Sequence, residues 1–191
     1  MPNPMIELLK TRRSVKPDLL MAPAPSAEEL ETILTIAARV PDHKKLAPWR
    51  FVVIEGIARE KLGEIAAEAC RREETEAPSH VRLETERRRF LRAPLVIAVI
   101  SRVVETRGAP EWEQVLSAGA AAMNLCVAAN ALGFGSSWIT EWIAYSRHFT
   151  EAFGLAPHER IVGFVHIGTP KEKPTERERP DLARIVTRWG A

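Results

Sequence analysis

Thr11-Arg12-Arg13-Ser14-Val15-Lys16 places three cations and two hydroxyls within six residues. Guanidinium, ammonium and hydroxyl groups crowded together just past a short helix can surround an anion such as phosphate. A solvated basic loop has the same composition, and this stretch alone does not separate the two. A second candidate follows the long apolar segment 117–132. There Gly133 and Gly135 stop the helix and release Ser136-Ser137-Trp138-Ile139 as an extended run. A buried helix, a glycine turn and a short strand can deliver backbone to a ligand; a plain core helix with a glycine exit reads the same way. His43, in the polar loop Asp42-His43-Lys44-Lys45, is either a ligand contact or a surface side chain. The remaining histidines, His80, His148, His158 and His166, form no HxxxH or HxH pair, and Cys70 and Cys126 have no metal spacing, so no metal site is expected.

These residues need elements to position them. Residues 4–10 read as a short amphipathic helix leading into the cationic run. A proline-rich linker, 17–25, precedes a helix opened by the capping box Ser26-x-x-Glu29. Residues 50–55, 95–101 and 161–168 are β-branched and apolar and read as buried strands. Residues 58–76, 81–92 and 146–153 read as helices. The segment 117–132, interrupted only by Asn124 and Asn130, is expected to be buried on all sides. Residues 172–180 are dense in charge and proline and predict an extended arm. Residues 183–189 alternate enough to predict a terminal strand. The expected total is four or five strands among six or more helices.

At 191 residues the chain is expected to form one domain. Its 46% hydrophobic and 27% charged residues are those of a soluble globular protein. A net charge of +2 gives no argument for nucleic acid, and in the helix 81–92 Glu84 and Glu86 lie among Arg87-Arg88-Arg89. The apolar runs are too short or too interrupted for a membrane span or a signal peptide. A cytoplasmic protein with free thiols is the expectation.

Taken in order, Arg12-Arg13-Ser14-Val15-Lys16, Pro48-Trp49-Arg50-Phe51, the helix 119–133, Gly135-Ser136-Ser137-Trp138 and Gly168-Thr169-Pro170 resemble the nitroreductase superfamily of FMN-dependent NAD(P)H oxidoreductases. Within it, Pro41-Asp42-His43-Lys44 resembles the subgroup of small NAD(P)H nitroreductases carrying that motif. The resemblance covers nearly the whole chain. It implies an α+β fold: a three-layer sandwich with a mixed, mainly antiparallel sheet flanked by helices, and a C-terminal strand exchanged in a dimer. Residues 1–191 would form one FMN-binding domain with 171–191 as its extended arm.

The resemblance also assigns roles. Arg12, Arg13 and Ser14 would hold the phosphate and ribityl end of FMN. Lys16 would place a cation near flavin N1 and O2, where reduction deposits negative charge. The backbone of Ser137, Trp138 and Ile139 would face the N5 side, and Gly168 is also implied to bind the cofactor. Arg39 and His43 match positions that reach FMN from the same subunit or across the dimer, and Arg177 and Arg179 match a late basic pair near the phosphate. Many family members carry Asn-x-Gln before Pro-Trp; here Lys45-Leu46-Ala47 replaces it, so two flavin-binding amides are missing. The implied activity passes hydride from NADH or NADPH through FMN to nitroaromatic, quinone-like or other acceptors by a ping-pong mechanism. No catalytic side chain is implied, because the cofactor carries the chemistry. The implied partners are a second copy of the chain and a small-molecule acceptor, with no nucleic acid and no membrane. The alternatives are a flavoprotein without NAD(P)H turnover, one with a specialised reductive substrate, and a structural module using the charged helix 81–92.

Overall fold

The computed structural model of the chain describes residues 3–190. Strands form where apolar and β-branched residues run together: β2 (Trp49–Glu55), β3 (Leu95–Arg102) and the long β5 (Glu159–Pro170). Two short strands, β1 (Leu20–Met21) and β4 (Gly135–Ile139), complete a five-stranded sheet. β2 pairs with β3, and β3 with β5. β4 and β1 lie along β5, β4 opposite residues 164–168 and β1 opposite 169–170. Every pairing among the described residues is antiparallel.

The sheet is covered on both faces. Val96, Ala98 and Ile100 of β3 and Phe164 of β5 pack with α3 (Ile57–Glu73) and α6 (Arg147–Ala152). Leu95, Ile97 and Val99, with Val165 and Ile167, pack instead with α2 (Ala27–Ala37) and α5 (Glu111–Ala131). Helix, sheet and helix therefore form the expected three-layer α+β sandwich. A strand buried on both faces has no need of polar alternation, which is why β3 is apolar from Leu95 to Ile100. Each such Leu, Ile or Val contributes about 1.5–3 kcal/mol on burial. Phe90 seals one layer, stacked on Phe149 at 6.0 Å and edge-on to Phe164 at 5.2 Å.

The remaining helices are α1 (Pro4–Thr11), α4 (His80–Arg87) and α7 (Leu182–Ile185). The Ser26 capping box forms as predicted, with the Glu29 carboxylate accepting from Ser26 N–H at 2.8 Å.

Three expectations are corrected. The helix predicted over 81–92 stops at Arg87, and Arg89–Arg92 tighten into a 3₁₀ turn that drives Phe90 and Arg89 into the interior. The terminal strand predicted over 183–189 is instead the single helical turn α7, capped where Asp181 Oδ1 accepts from Ala183 N–H at 3.0 Å. Leu182, Ile185 and Val186 are exposed there, because no sheet edge among the described residues receives them. The segment 117–132 is not buried all round: Ala121, Ala122, Leu125 and Ala129 face inward, while Met123 and Leu132 are exposed, as are Trp112 and Leu116 earlier in α5.

Candidate active site

The site begins where α1 ends. Arg12 closes the helix by donating its N–H to Leu8 O at 2.8 Å, and the chain then extends. Val15 N–H donates to Ser136 O at 3.0 Å, which ties the cationic run to the first residues of β4. Val15 is buried against Leu20 and Ala93, while Ser14 and Lys16 on either side of it are exposed. Gly135 permits this approach: a Cβ there would lie 2.6 Å from Leu20 Cδ2 and 3.1 Å from Val15 Cγ2.

The C-terminal arm folds back over the same run. The Arg13 guanidinium donates to Thr175 O and lies 3.6 Å from the Glu176 carboxylate. Arg179 Nη2 is 2.9 Å from that carboxylate and 3.5 Å from Arg12 O. Glu176 also accepts from Arg177 N–H at 2.9 Å. The Arg177 N–H, followed by the Arg179 and Arg13 charges, holds the Glu176 carboxyl below its ordinary range. Arg13 and Arg179 thus share the Glu176 carboxylate, beside the backbone of Arg12 and Arg177. Arg12 Nε is buried and has no hydrogen-bond partner among the described residues. Burial raises the Cys126 thiol pKa on neighbouring α5, and the Arg12 charge opposes that rise.

The other half of the site is β4. Ser137, Trp138 and Ile139 stand opposite His166, Val165 and Phe164 of β5. No further strand covers their outer edge among the described residues. Trp138 Nε1 donates to Val162 O at 3.1 Å. Gly163 makes room for the indole, since a Cβ there would sit 2.1 Å from Trp138 Nε1. Trp138 and Ile139 line an open cleft of about 470 Å³ with Thr140, Glu141 and Val162. Glu141 has φ 56°, an unusual left-handed conformation for a residue other than glycine. Arg89 and Arg92 grip its carboxylate, Arg92 Nη2 at 3.1 Å. Sequence reading missed Glu141, Val162, Gly163 and Glu176. Only Gly163, a glycine inside an apolar strand, carried a signal, since such a glycine marks close approach of a neighbour.

Of the other predicted residues, Gly168 packs beneath β4, and Arg39 and His43 lie away from these elements. Gly168 pairs with Gly135 but is a packing position: a Cβ would meet Met21 O and Pro94 Cδ, both at 2.8 Å. Arg39 sits at the end of α2, its carbonyl held by Asn124 Nδ2 of α5 at 2.9 Å. His43 Nδ1 lies 2.7 Å from Glu113 Oε2, with both side chains about half exposed. No hydrogen bond or ion pair joins Arg39 or His43 to Arg12–Lys16 or to β4 among the described residues. In the loop after His43, the Asp42 carboxylate accepts from Leu46 and Ala47 N–H at 3.0 and 2.8 Å. The backbone of Lys45-Leu46-Ala47 is thereby fixed without the amide side chains. No group of side chains suited to a metal ion occurs among the described residues, and no described helix is long and apolar enough to cross a membrane.

Known proteins resemble the chain in sequence and in fold. The chain is 38% identical over 183 residues to an Escherichia coli (strain K12) protein named "Putative NAD(P)H nitroreductase YdjA", spanning 95% of this chain and 97% of that one. Its fold matches the crystal structure of a nitroreductase-like family protein from Bacillus cereus with a TM-score of 0.83 at 24% identity, over 100% of this chain and 98% of the other. A Desulfovibrio desulfuricans protein, described as a "putative nitroreductase in complex with fmn", gives a TM-score of 0.73 at 26% identity and 98% coverage of both chains. The family model described as Nitroreductase family spans residues 9–169, and on that match the chain belongs to the nitroreductase family.

Proposed function

We propose that the chain is an FMN-dependent oxidoreductase that takes hydride from NADH or NADPH and reduces nitroaromatic, quinone-like or related acceptors. One observation carries this reading: the Val15–Ser136 hydrogen bond joins a cation cluster to an open, partly apolar strand edge. A phosphate needs the first and a flat heteroaromatic ring the second. The residues fit the group. Arg12 Nε is a buried donor with no partner among the described residues, and the Glu176 carboxylate already stands among Arg13, Arg179 and the Arg177 N–H as an anion would. When bound, FMN supplies the redox chemistry, accepting hydride from the nicotinamide and passing two electrons to the acceptor in ping-pong order.

The chain's own part is binding and electrostatics. Arg12, Arg13, Ser14, Arg177 and Arg179 hold the phosphate and ribityl end. Lys16 supplies a positive charge for the pyrimidine edge. Ser137, Trp138 and Ile139 present backbone and an indole face, and Gly168 lets β1 lie against β5 beneath them. Arg39 and His43 have no hydrogen bond or ion pair to this cluster among the described residues, so we assign them to the site of a second copy in a homodimer. The outward residues Leu116 and Met123 of α5 suit that interface. The whole chain then acts as one FMN-binding domain with 171–191 as its arm, in the cytoplasm.

The test is direct. The purified protein should be yellow, mass spectrometry of the released chromophore should find FMN, and NADH or NADPH should bleach it anaerobically. FAD, no flavin at all, or an unbleached spectrum would overturn the proposal.

A further inference from the structure

A second cavity, separate from the flavin reading and not dependent on it, lies between α3, α4 and the Pro17–Met21 segment. Its volume is about 750 Å³, and Asp18, Arg59, Thr85, Arg88 and Arg92 are among its lining residues. A cavity of that size accommodates a small ligand. Its walls carry three guanidinium groups against one carboxylate.

The arginines of this region are mostly spoken for. Arg82 is paired with Glu74 and Glu86, Arg87 with Glu64 and Glu84, and Arg89 with Glu86 and Glu141. Arg92 gives Nε to Arg89 O and its far end to Glu141. Arg88 and Arg59 differ, since neither has a carboxylate partner among the described residues. Arg59 makes one hydrogen bond, Nη1 to Ala93 O at 2.7 Å, and its Nε has none. The free fork of Arg88 and the part of the Arg59 guanidinium not given to Ala93 share one concave wall with Arg92, whose charge Glu141 already holds. Guanidinium forks match phosphate and carboxylate oxygens bidentately.

The geometry points to a phosphate-binding site at Arg59, Arg88 and Arg92, with Asp18 selecting for a phosphate oxygen that still carries a proton. A carboxylate in a cationic cavity repels a bare anion but accepts a hydrogen bond from a P–OH group. Inorganic phosphate keeps a proton at neutral pH, and a phosphate monoester keeps one part of the time because its second pKa is about 6. Sulfate keeps none. The shared chemistry is the phosphate group, either free or at the end of a small organic ester.

Calorimetric titration of the purified full-length protein with inorganic phosphate, glycerol 3-phosphate and sulfate tests this. Phosphate or the ester should bind with sulfate clearly weaker, and Arg88→Ala should weaken binding by about tenfold or more. Arg88 is exposed and has no carboxylate partner among the described residues, so this variant should fold normally. Asp18→Asn should bring sulfate and phosphate closer together. Tighter binding of the ester assigns the site to an organic phosphate, and equal or tighter binding of phosphate assigns it to the free ion. Arg12→Ala, which alters the proposed flavin cluster, should leave this binding in place, so a failure of the flavin reading would not be mistaken for a failure here. No binding at millimolar ligand, unchanged binding in Arg88→Ala, or sulfate binding as well as phosphate would overturn the assignment.

Discussion

The Glu86 carboxylate is fully buried and accepts twice from the Arg89 guanidinium, at 2.5 Å from Nε and 2.6 Å from Nη2. Arg82 completes the pairing from the other side, and Trp142 Nε1 donates at 3.3 Å. Burial pulls the Arg89 pKa down to about 10, the mark of a charge held away from water. Glu86→Leu would leave that charge without its main partner. Breaking a buried pair on one side costs about 3–5 kcal/mol, so chemical denaturation should show a loss of that size. The double variant Glu86→Leu/Arg89→Met should recover part of it.

His166 gives an acid limb to stability. It is buried in β5 opposite Ser137, and neither ring nitrogen finds a hydrogen-bond partner among the described residues. Burial, reinforced by the Arg92 charge, lowers its pKa to about 4. The unfolded chain therefore takes up this proton first. Stability from His166 is intact above the ordinary value of about 6.5 and falls as pH drops toward 4. The slope is at most about 1.4 kcal/mol per pH unit for one proton. Denaturation midpoints measured from pH 7 to 4 should decline, and His166→Gln should flatten that part of the decline.

Arg12→Ala should weaken FMN binding more than tenfold. One lost charge-assisted contact is worth about 1.5–3 kcal/mol, or roughly ten- to a hundredfold in affinity. Glu176→Gln should act the other way. Its carboxylate competes for Arg13 and Arg179, and exposed pairs of this kind are worth about 0.2–1 kcal/mol, so affinity should rise by at most about fivefold. Flavin titration of the apoprotein reads both. Equal constants for the wild type and Arg12→Ala would mean that the cationic run is only solvated.

Deleting residues 171–191 should yield protein that is monomeric, unable to retain FMN, or insoluble. The deletion removes Arg179 and the Thr175 and Glu176 contacts to Arg13, together with the exposed Leu182, Ile185 and Val186. Light scattering and flavin content report the two properties separately. A truncated dimer with full flavin occupancy would make the arm a surface appendage.

The layers of this fold are legible because their signals are local. The length and β-branched content of Val96 to Ile100 mark a strand buried on both faces, and Ser26 with Glu29 marks a helix start. The cationic run and the glycine exit of α5 are equally local, so the two halves of the candidate site were readable. Leu20–Met21 was not, because its strand exists only through pairing with Thr169 and Pro170 about 150 residues away. Residues 183–189 misled for the complementary reason: alternation makes a strand only where an edge accepts it, and without one a local cap at Asp181 set the conformation. Glu176 looked like one more charge in a charged arm. Only the fold-back of the arm onto Arg13 gives its carboxylate a role.

The fit of Trp138 against Gly163 also constrains how sequences of this fold can drift. The indole fills the space that a methyl group at 163 would need, and its N–H is committed to the neighbouring carbonyl of Val162. Neither position can change freely while the other stays as it is. In lineages where the residue at 163 grows a side chain, the one at 138 should have shrunk, so the cleft wall and the β5 backbone behind it evolve as a unit.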